Sequence, residues 1–156
     1  GCIGENYYDA ILKSMLSVGH RIPKKNILIS SGPTRSKVEL LNSTRMLIEK
    51  GYNIYSTAGT AKFFKENGID TQILYWPDED KEPNIMEYLH DRKIDLVINI
   101  PKNHTKRELD NGYKIRRAAV DYNIPLITNA RLASAFIYAI CKVDPTEIAI
   151  KSWDEY

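Results

Sequence analysis

Residues 52–60 read Tyr-Asn-Ile-Tyr-Ser-Thr-Ala-Gly-Thr, a short apolar segment followed at once by hydroxyl side chains and a glycine. The pattern predicts a β-strand that ends at Ser56 and a helix that begins at Thr60. A turn of this kind at a helix N-terminus leaves backbone N–H groups unpaired, and threonine hydroxyls add further donors. The turn at residues 57–60 is therefore predicted to hold a small anion.

Length and composition indicate one globular domain with an ordinary core. The chain has 156 residues, of which 43% are hydrophobic and 27% are charged. Its formal net charge of +2, from 22 basic and 20 acidic residues, is too balanced to predict a nucleic-acid or membrane surface. The two cysteines, Cys2 and Cys141, lie far apart in the sequence. Isolated cysteines are typical of reduced thiols, so we expect a cytoplasmic protein.

A polar connector with a proline, at residues 21–26, is the best candidate for a domain boundary. Residues 1–22 are predicted to be the end of a preceding domain or a linker helix, because apolar residues recur at helical spacing over residues 7–18. Residues 23–156 are predicted to form the second domain. Because the chain opens on Gly1 in the middle of a motif, we expect it to be a fragment of a larger protein.

Strand and helix patterns alternate after the connector. Strands are predicted at residues 27–30, 52–56, 70–76, 94–100 and 124–128. Helices are predicted at residues 34–50, 60–67, 111–122 and 130–142, with a further helix capped by Asn84. Five short apolar strands that alternate with helices predict a three-layer α/β fold of the Rossmann type, with a five-stranded parallel sheet and helices on both faces.

Polar side chains follow every predicted strand, and in an open parallel sheet ligands bind outside the carboxyl ends of the strands. The candidates are Ser30 and Lys37 after the first strand, Thr57, Gly59 and Thr60 after the second, Trp76 after the third, Asn99 and Lys102 after the fourth, and Thr128 after the fifth. Hydroxyls and cations suit a phosphate or a carboxylate, and a tryptophan offers an apolar or stacking wall. Because each residue type is also common at caps and turns, only the whole set predicts a ligand.

Catalytic and metal-binding motifs do not accompany this set of residues. The sequence contains no Walker loop, GxGxxG, GxSxG or HExxH pattern, and its three histidines share no metal-ligand spacing. The acidic segment at residues 78–82 is interpreted as a solvated loop. We therefore predict no catalytic residue, no metal site and no cofactor in this chain.

Four segments carry a resemblance to a known family. They are residues 51–61, 98–101, 113–121 and 124–129, of which Tyr-Lys-Ile-Arg-Arg-Ala-Ala-Val-Asp at 113–121 is the most specific. Together they resemble the C-terminal regulatory domain of the carbamoyl-phosphate synthase large chain. Residues 1–16 are similar to the end of the preceding ATP-grasp synthase domain of that family. The resemblance implies a methylglyoxal-synthase-like fold and a domain that binds an effector and performs no chemistry.

The resemblance also implies a parent enzyme and its partners. The parent enzyme makes carbamoyl phosphate from glutamine, bicarbonate and ATP, with Mg²⁺ or Mn²⁺, for pyrimidine and arginine biosynthesis. The implied partners are a small anionic effector, the synthase domain of the same large chain, a glutaminase small chain and further copies of the protein. No nucleic acid or membrane is expected among them.

The resemblance implies two classes of effector. Bacterial members bind UMP, with IMP at an overlapping site, through positions that match Ser30, Lys37, Thr57, Thr60 and Asn99. These members have a lysine where this chain has Trp76. A tryptophan stands there in the animal urea-cycle enzyme, which is activated by N-acetylglutamate and uses positions that match Thr57, Thr60, Asn99 and Asn111. That enzyme has an asparagine at the position of Lys102. We expect a nucleotide or phosphoribosyl compound first, because Lys37 and Lys102 would face it, and an N-acetylglutamate-type effector second.

Two other functions stay open from the sequence. A methylglyoxal-synthase-like lyase needs a carboxylate base in the pocket. The fourth strand is followed by Asn99-Ile100-Pro101-Lys102, with no acid before Glu108, so we expect no carboxylate there and no such activity. A structural domain that has lost its ligand and serves oligomer contacts is the other alternative, because the lysine of the nucleotide-binding members is absent at position 76.

Overall fold

The computed structural model describes residues 3–17, 22–101 and 105–142 of the chain. The helices in these ranges are α1 (Ile3–Ser17), α2 (Thr34–Glu49), α3 (Ala58–Glu66), α4 (Ile85–His90), α5 (Lys106–Asp121) and α6 (Ala130–Lys142). The strands are β1 (Asn26–Ser31), β2 (Asn53–Ser56), β3 (Gln72–Ile73), β4 (Leu96–Ile100) and β5 (Leu126–Ile127). No helix within these ranges combines the length and the apolar character needed to cross a bilayer.

The five strands form one parallel sheet in the order β3-β2-β1-β4-β5, which confirms the predicted fold class. β1 is the central strand, and Ile29 is in register with Ser56 on one side and with Ile98 on the other. The chain adds β2 and β3 on one side of β1 and then crosses over to add β4 and β5 on the other. Such a reversal opens a crevice at the carboxyl ends of the strands.

Each face of the sheet has its own hydrophobic core, because side chains alternate between the faces along a strand. Ile27 and Ile29 face a core formed with α1, α2, α3 and α6. Leu28 faces the opposite core, which α4 and α5 complete. Helices therefore cover both faces, and α2 and α3 lie on the opposite side of the sheet from α5.

Several predicted elements have different bounds in the structure, among them α3, which begins at Ala58 rather than Thr60, and the largest differences are in the third strand and the fifth helix. The third strand, predicted over residues 70–76, pairs only at Gln72 and Ile73, beyond which Tyr75 forms an isolated bridge with Asn84. The fifth helix begins at Lys106 rather than at residue 111, because the Thr105 hydroxyl accepts a hydrogen bond from the Glu108 N–H at 3.1 Å. This N-cap starts the helix one and a half turns earlier than periodicity predicts. The predicted Asn84 cap is confirmed, since its side chain accepts from the Met86 N–H.

Helix α1 packs into the first core. Leu12 and Met15 are buried there with the apolar face of α6. The segment that the sequence assigns to a preceding domain or linker thus adds apolar area to this core. The boundary near residue 22 and the assignment of residues 143–156 to the second domain stay predictions, and residues 143–156 lie outside the described residues.

We expect Leu12→Ala to lower the free energy of unfolding by about 2–5 kcal/mol, because it leaves a cavity between α1 and α6. Urea denaturation of the chain measures the loss. Ser14→Ala, an exposed position on the same helix, is the control and should change stability by less than ~0.5 kcal/mol. Equal stability of the two variants would show that α1 does not dock on α6.

Candidate functional site

A cavity of about 290 Å³ opens at the carboxyl end of the sheet, where β1 lies between β2 and β4. Its volume is at the small end of the ~300–1,000 Å³ typical of ligand pockets. Eight of the ten residues predicted for the site line it, namely Ser30, Lys37, Thr57, Gly59, Thr60, Trp76, Asn99 and Asn111.

Of the other two predicted residues, one lies elsewhere in the structure and one lies outside the described residues. Thr128 lines a separate hollow with Arg35, Ser36 and Arg131, because β5 is an edge strand on the far side of β4. Lys102 lies outside the described residues.

Hydroxyl groups form one wall of the cavity and hold one another in place. The Ser30 and Thr57 hydroxyl oxygens are 3.1 Å apart. The Thr60 hydroxyl accepts from the Ser31 N–H at 3.0 Å and donates to the Ser31 carbonyl at 3.2 Å. Thr57 and Thr60 are almost completely buried, with 3% and 1% of their surface exposed. The Thr57 hydroxyl donates to the Thr60 hydroxyl at 3.5 Å, a longer hydrogen bond than the one from Thr60 to Ser31, so Thr57 redirects its proton to a ligand at the smaller cost.

Two helices begin at this wall. In α3 the first intrahelical bond joins the Ala61 N–H to the Thr57 carbonyl at 2.8 Å, so the N–H groups of residues 58–60 have no partner within the helix. The start of α2 is close by, and its Lys37 lines the cavity. Neither helix has an acidic residue in its first turn. We call this wall, formed by Ser30, Thr57, Thr60, Lys37 and the starts of α2 and α3, the donor wall. The helix dipoles and the lysine make it favourable for negative charge.

Helix α5 and the end of the third strand form the opposite wall. Trp76, Glu108, Asn111 and Ile115 lie on it. The Asn111 amide is engaged at both ends, since Oδ1 accepts from the Asp78 N–H at 3.1 Å and Nδ2 donates to the Arg107 carbonyl at 3.0 Å. Asn111 therefore links α5 to the loop that contains Asp78. The expectation that no carboxylate reaches the pocket is wrong, because the early start of α5 brings Glu108 into the lining.

Asn99 lies at the floor of the cavity and is oriented by α5. The Arg116 Nη1 donates to the Asn99 Oδ1 at 3.0 Å, which leaves the Asn99 Nδ2 as the atom to present to a ligand. Gly112 makes this contact possible, because a Cβ there would be 2.9 Å from the Arg116 Nη1. No sequence pattern predicts that a helix side chain reaches this strand end.

An ion pair beside Trp76 attaches the acidic loop after the third strand to α5. The Arg107 Nε donates to the Asp78 Oδ2 at 2.6 Å, and Nη2 donates to Oδ1 at 3.2 Å. The Arg107 guanidinium also lies 5.5 Å from the centre of the Trp76 ring. Sequence reasoning interpreted this loop as solvated and missed its attachment, because the two residues are 29 positions apart and belong to no motif.

Metal ligands are not gathered at this site. Among residues 3–17, 22–101 and 105–142, no group of three or more His, Cys, Asp or Glu side chains is placed to hold a metal ion.

Comparisons with known proteins agree with the fold. Residues 39–128 match the family described as the MGS-like domain. The chain is 43% identical over 159 aligned positions to the multifunctional protein CAD of Squalus acanthias, covering 93% of this chain and 7% of that protein. It is 38% identical over 146 positions to the mitochondrial carbamoyl-phosphate synthase [ammonia] of Homo sapiens, covering 90% of this chain and 10% of that protein. The chain thus spans a tenth or less of the length of these relatives.

A solved structure shares the fold. The methylglyoxal synthase of Elizabethkingia anophelis NUHP1 superposes with a TM-score of 0.53 at 16% identity, over 74% of this chain and 79% of that one. This likeness supports the methylglyoxal-synthase-like architecture alone.

The attachment of the loop makes a prediction about Asp78. The Arg107 hydrogen bonds, and after them the Asn111 hydrogen bond, hold the pKa of the Asp78 carboxyl below its ordinary value of 3.8. The pair thus stabilises the fold above the unfolded-state pKa, and this stability is lost as the pH falls through the lower folded-state pKa. An NMR titration of the Asp78 carboxyl carbon should show the lowered pKa, and Arg107→Gln should raise it toward 3.8.

Arg117→Gln is the matched control, because Arg117 pairs with Asp121 elsewhere on α5. It should leave the Asp78 titration unchanged. An Asp78 pKa that does not respond to Arg107→Gln would mean that the loop is not attached in solution.

Proposed function

The chain belongs to the MGS-like domain family, and on that premise we propose that it is the effector-binding domain of a carbamoyl-phosphate synthase. A small anionic effector binds in the cavity at the carboxyl ends of the strands. The observation that carries the proposal is the donor wall, where buried hydroxyls, the unpaired N–H groups of α3 and Lys37 converge on one cavity. Such groups are the partners that phosphates and carboxylates require.

The effector that we propose first is a nucleotide or a phosphoribosyl compound. Its phosphate binds at Thr57, Lys37 and the start of α3, and Trp76 contacts the remainder of the molecule. An acylated amino acid of the N-acetylglutamate type is the second candidate, because a tryptophan at position 76 fits that class. Both candidates place an anionic group at the donor wall, so the two share one test of the site.

Regulation acts through the whole protein, of which this domain is one part. An effector that prefers one arrangement of this domain against the synthase domain shifts the equilibrium toward that arrangement. Coupling of this kind is typically worth about 1–3 kcal/mol and is reciprocal, so substrate binding must change effector affinity by the same factor. We propose ATP with Mg²⁺ or Mn²⁺ as the parent enzyme's cofactors, the synthase domain of the same chain and a glutaminase small chain as partners, and contacts with further copies.

One observation keeps an enzymatic function as a second candidate. Glu108 places a carboxylate in the same cavity as the donor wall, and a carboxylate beside a phosphate site is what proton abstraction from a triose phosphate requires. We expect no methylglyoxal when the chain is incubated with dihydroxyacetone phosphate. Turnover that is lost in Glu108→Gln would make the chain a lyase instead of an effector domain.

A thermal-shift titration of the chain with UMP, IMP, UTP, phosphoribosyl pyrophosphate and N-acetylglutamate tests the site. A ligand that binds only the folded state raises the melting temperature, and the rise reports its affinity. We expect a saturable rise with one of these compounds and an affinity about tenfold weaker in Thr57→Ala and in Lys37→Gln, since each loses a hydrogen bond to a charged group.

Lys62→Gln is the matched control, because Lys62 is an exposed lysine on α3 that does not line the cavity. It removes the same charge and should retain the affinity of the unmodified chain. Thr57→Ala removes no helix cap, since the Thr57 side chain makes no cap hydrogen bond. A chain that binds none of the five compounds would support the structural-domain alternative.

Gly59→Ala separates binding from stability. A Cβ at position 59 meets nothing within 4 Å, so the protein accommodates the methyl group, and alanine is favoured over glycine in a helix. We expect an unchanged free energy of unfolding or a rise of up to ~1 kcal/mol. Affinity for the effector should fall, because the methyl group stands where an anion approaches the N–H groups of α3. Unchanged affinity would show that the anion does not bind at this turn.

A further inference from the structure

We propose that Glu108 determines which anionic ligands the cavity accepts. Its carboxylate accepts hydrogen bonds from vicinal hydroxyl groups of a sugar-phosphate-type ligand, and it disfavours ligands that are anionic at both ends. The inference rests on the proposed function, since it takes an anion bound at the donor wall as its starting point.

The first argument is the conformation of the Glu108 side chain. Residues 105–108 read Thr-Lys-Arg-Glu, the sequence of a capping box, in which the glutamate normally bonds back to the N-cap backbone. Only one of the two capping-box hydrogen bonds forms. The Thr105 hydroxyl accepts from the Glu108 N–H, but the Glu108 carboxylate does not accept from the Thr105 N–H. Glu108 lines the cavity instead.

The second argument is the environment of the carboxylate. The Glu108 Oε2 is buried and has no hydrogen-bond partner among the described residues. A buried carboxylate oxygen without a donor is costly, because it has lost its hydrogen bonds to water and gained none from the protein. The neighbouring polar side chain, Asn111, is already engaged with Asp78 and Arg107 and does not supply the donor. A ligand that brings its own donors removes this cost.

The third argument is that hydrogen-bond donors and a carboxylate acceptor belong to opposite walls of the cavity. The donor wall belongs to α2 and α3, which pack on one face of the sheet, whereas Glu108 belongs to α5, on the other face. A ligand that spans the cavity thus meets hydrogen-bond donors at one end and a carboxylate acceptor at the other. Adjacent hydroxyls can donate together to a carboxylate, as a ribose does to an acidic residue in dinucleotide sites. A second carboxylate on the ligand would be repelled.

Isothermal titration calorimetry of the whole 156-residue chain tests the proposal with inorganic phosphate, ribose 5-phosphate, 2-deoxyribose 5-phosphate and N-acetylglutamate. Removal of the 2-hydroxyl destroys both vicinal hydroxyl pairs of the sugar. We expect ribose 5-phosphate to bind about tenfold more tightly than its 2-deoxy form, as a hydrogen bond to a charged group predicts. We expect N-acetylglutamate to bind more weakly than ribose 5-phosphate.

Glu108→Ala should abolish the preference for ribose 5-phosphate, while phosphate binds equally well or more tightly because a negative charge has gone. Asp110→Ala is the matched control, since Asp110 is an exposed acid two positions further along α5. It should keep the preference. Glu108→Gln, which has nearly the same shape without the charge, should lower the preference several-fold, and it serves in place of the alanine variant if that variant does not fold.

The outcomes separate the two proposals. A preference that persists in both Glu108 variants, no preference in the unmodified chain, or tighter binding of N-acetylglutamate overturns the role of Glu108 and leaves the anion site intact. If phosphate, ribose 5-phosphate and N-acetylglutamate all fail to bind, the proposed function itself is wrong. If the Glu108 variants lose only thermal stability and keep their ligand preference, Glu108 is a helix-start carboxylate that interacts with the dipole of α5.

Discussion

β1 is hydrogen-bonded along both of its edges, to β2 and to β4, and this double pairing places the cavity. Ile29 is in register with Ser56, the last residue of β2, and with Ile98 of β4. The end of β1 therefore lies between the ends of its two neighbouring strands. The Thr60 hydroxyl then ties the start of α3 to the last residue of β1 through both backbone groups of Ser31. The donor wall is therefore held by backbone pairing and one buried hydroxyl.

The two walls of the cavity are stabilised by different forces. Thr57 and Thr60 are buried and belong to the turn that joins β2 to α3, where packing fixes their positions. On the other wall, the loop after β3 is attached to α5 by the ion pair between Asp78 and Arg107, which is partly exposed to solvent and therefore screened by salt. One wall is thus held by buried contacts, and the loop on the other wall can move at a smaller cost in free energy.

Local pattern was sufficient to predict the order of the elements and most of the site. Short apolar strands between amphipathic helices specify a parallel sheet, and such a sheet brings its carboxyl ends together, so seven of the residues that line the cavity followed from topology and Asn111 from the family resemblance. Local sequence pattern did not predict the features that depend on tertiary contacts. In α2, the hydrophobic residues Val38 and Ile48 are 57% and 40% exposed, whereas the polar residues Ser43 and Thr44 are buried. The contact between Arg116 and Asn99 and the loop attachment at Asp78 join residues that are distant in sequence. Thr128 was misplaced with the other strand ends, because the sequence does not reveal that β5 is an edge strand.

Glu108, Asn111 and Gly112 line the cavity but belong to neither hydrophobic core. Substitution at such positions changes what the cavity recognises without removing apolar area from the interior. Selection can therefore act on ligand choice and on folding through separate sets of residues. On the proposed function, substitutions on this one helix face can change which effector is bound, and such changes need no compensating substitutions in the core.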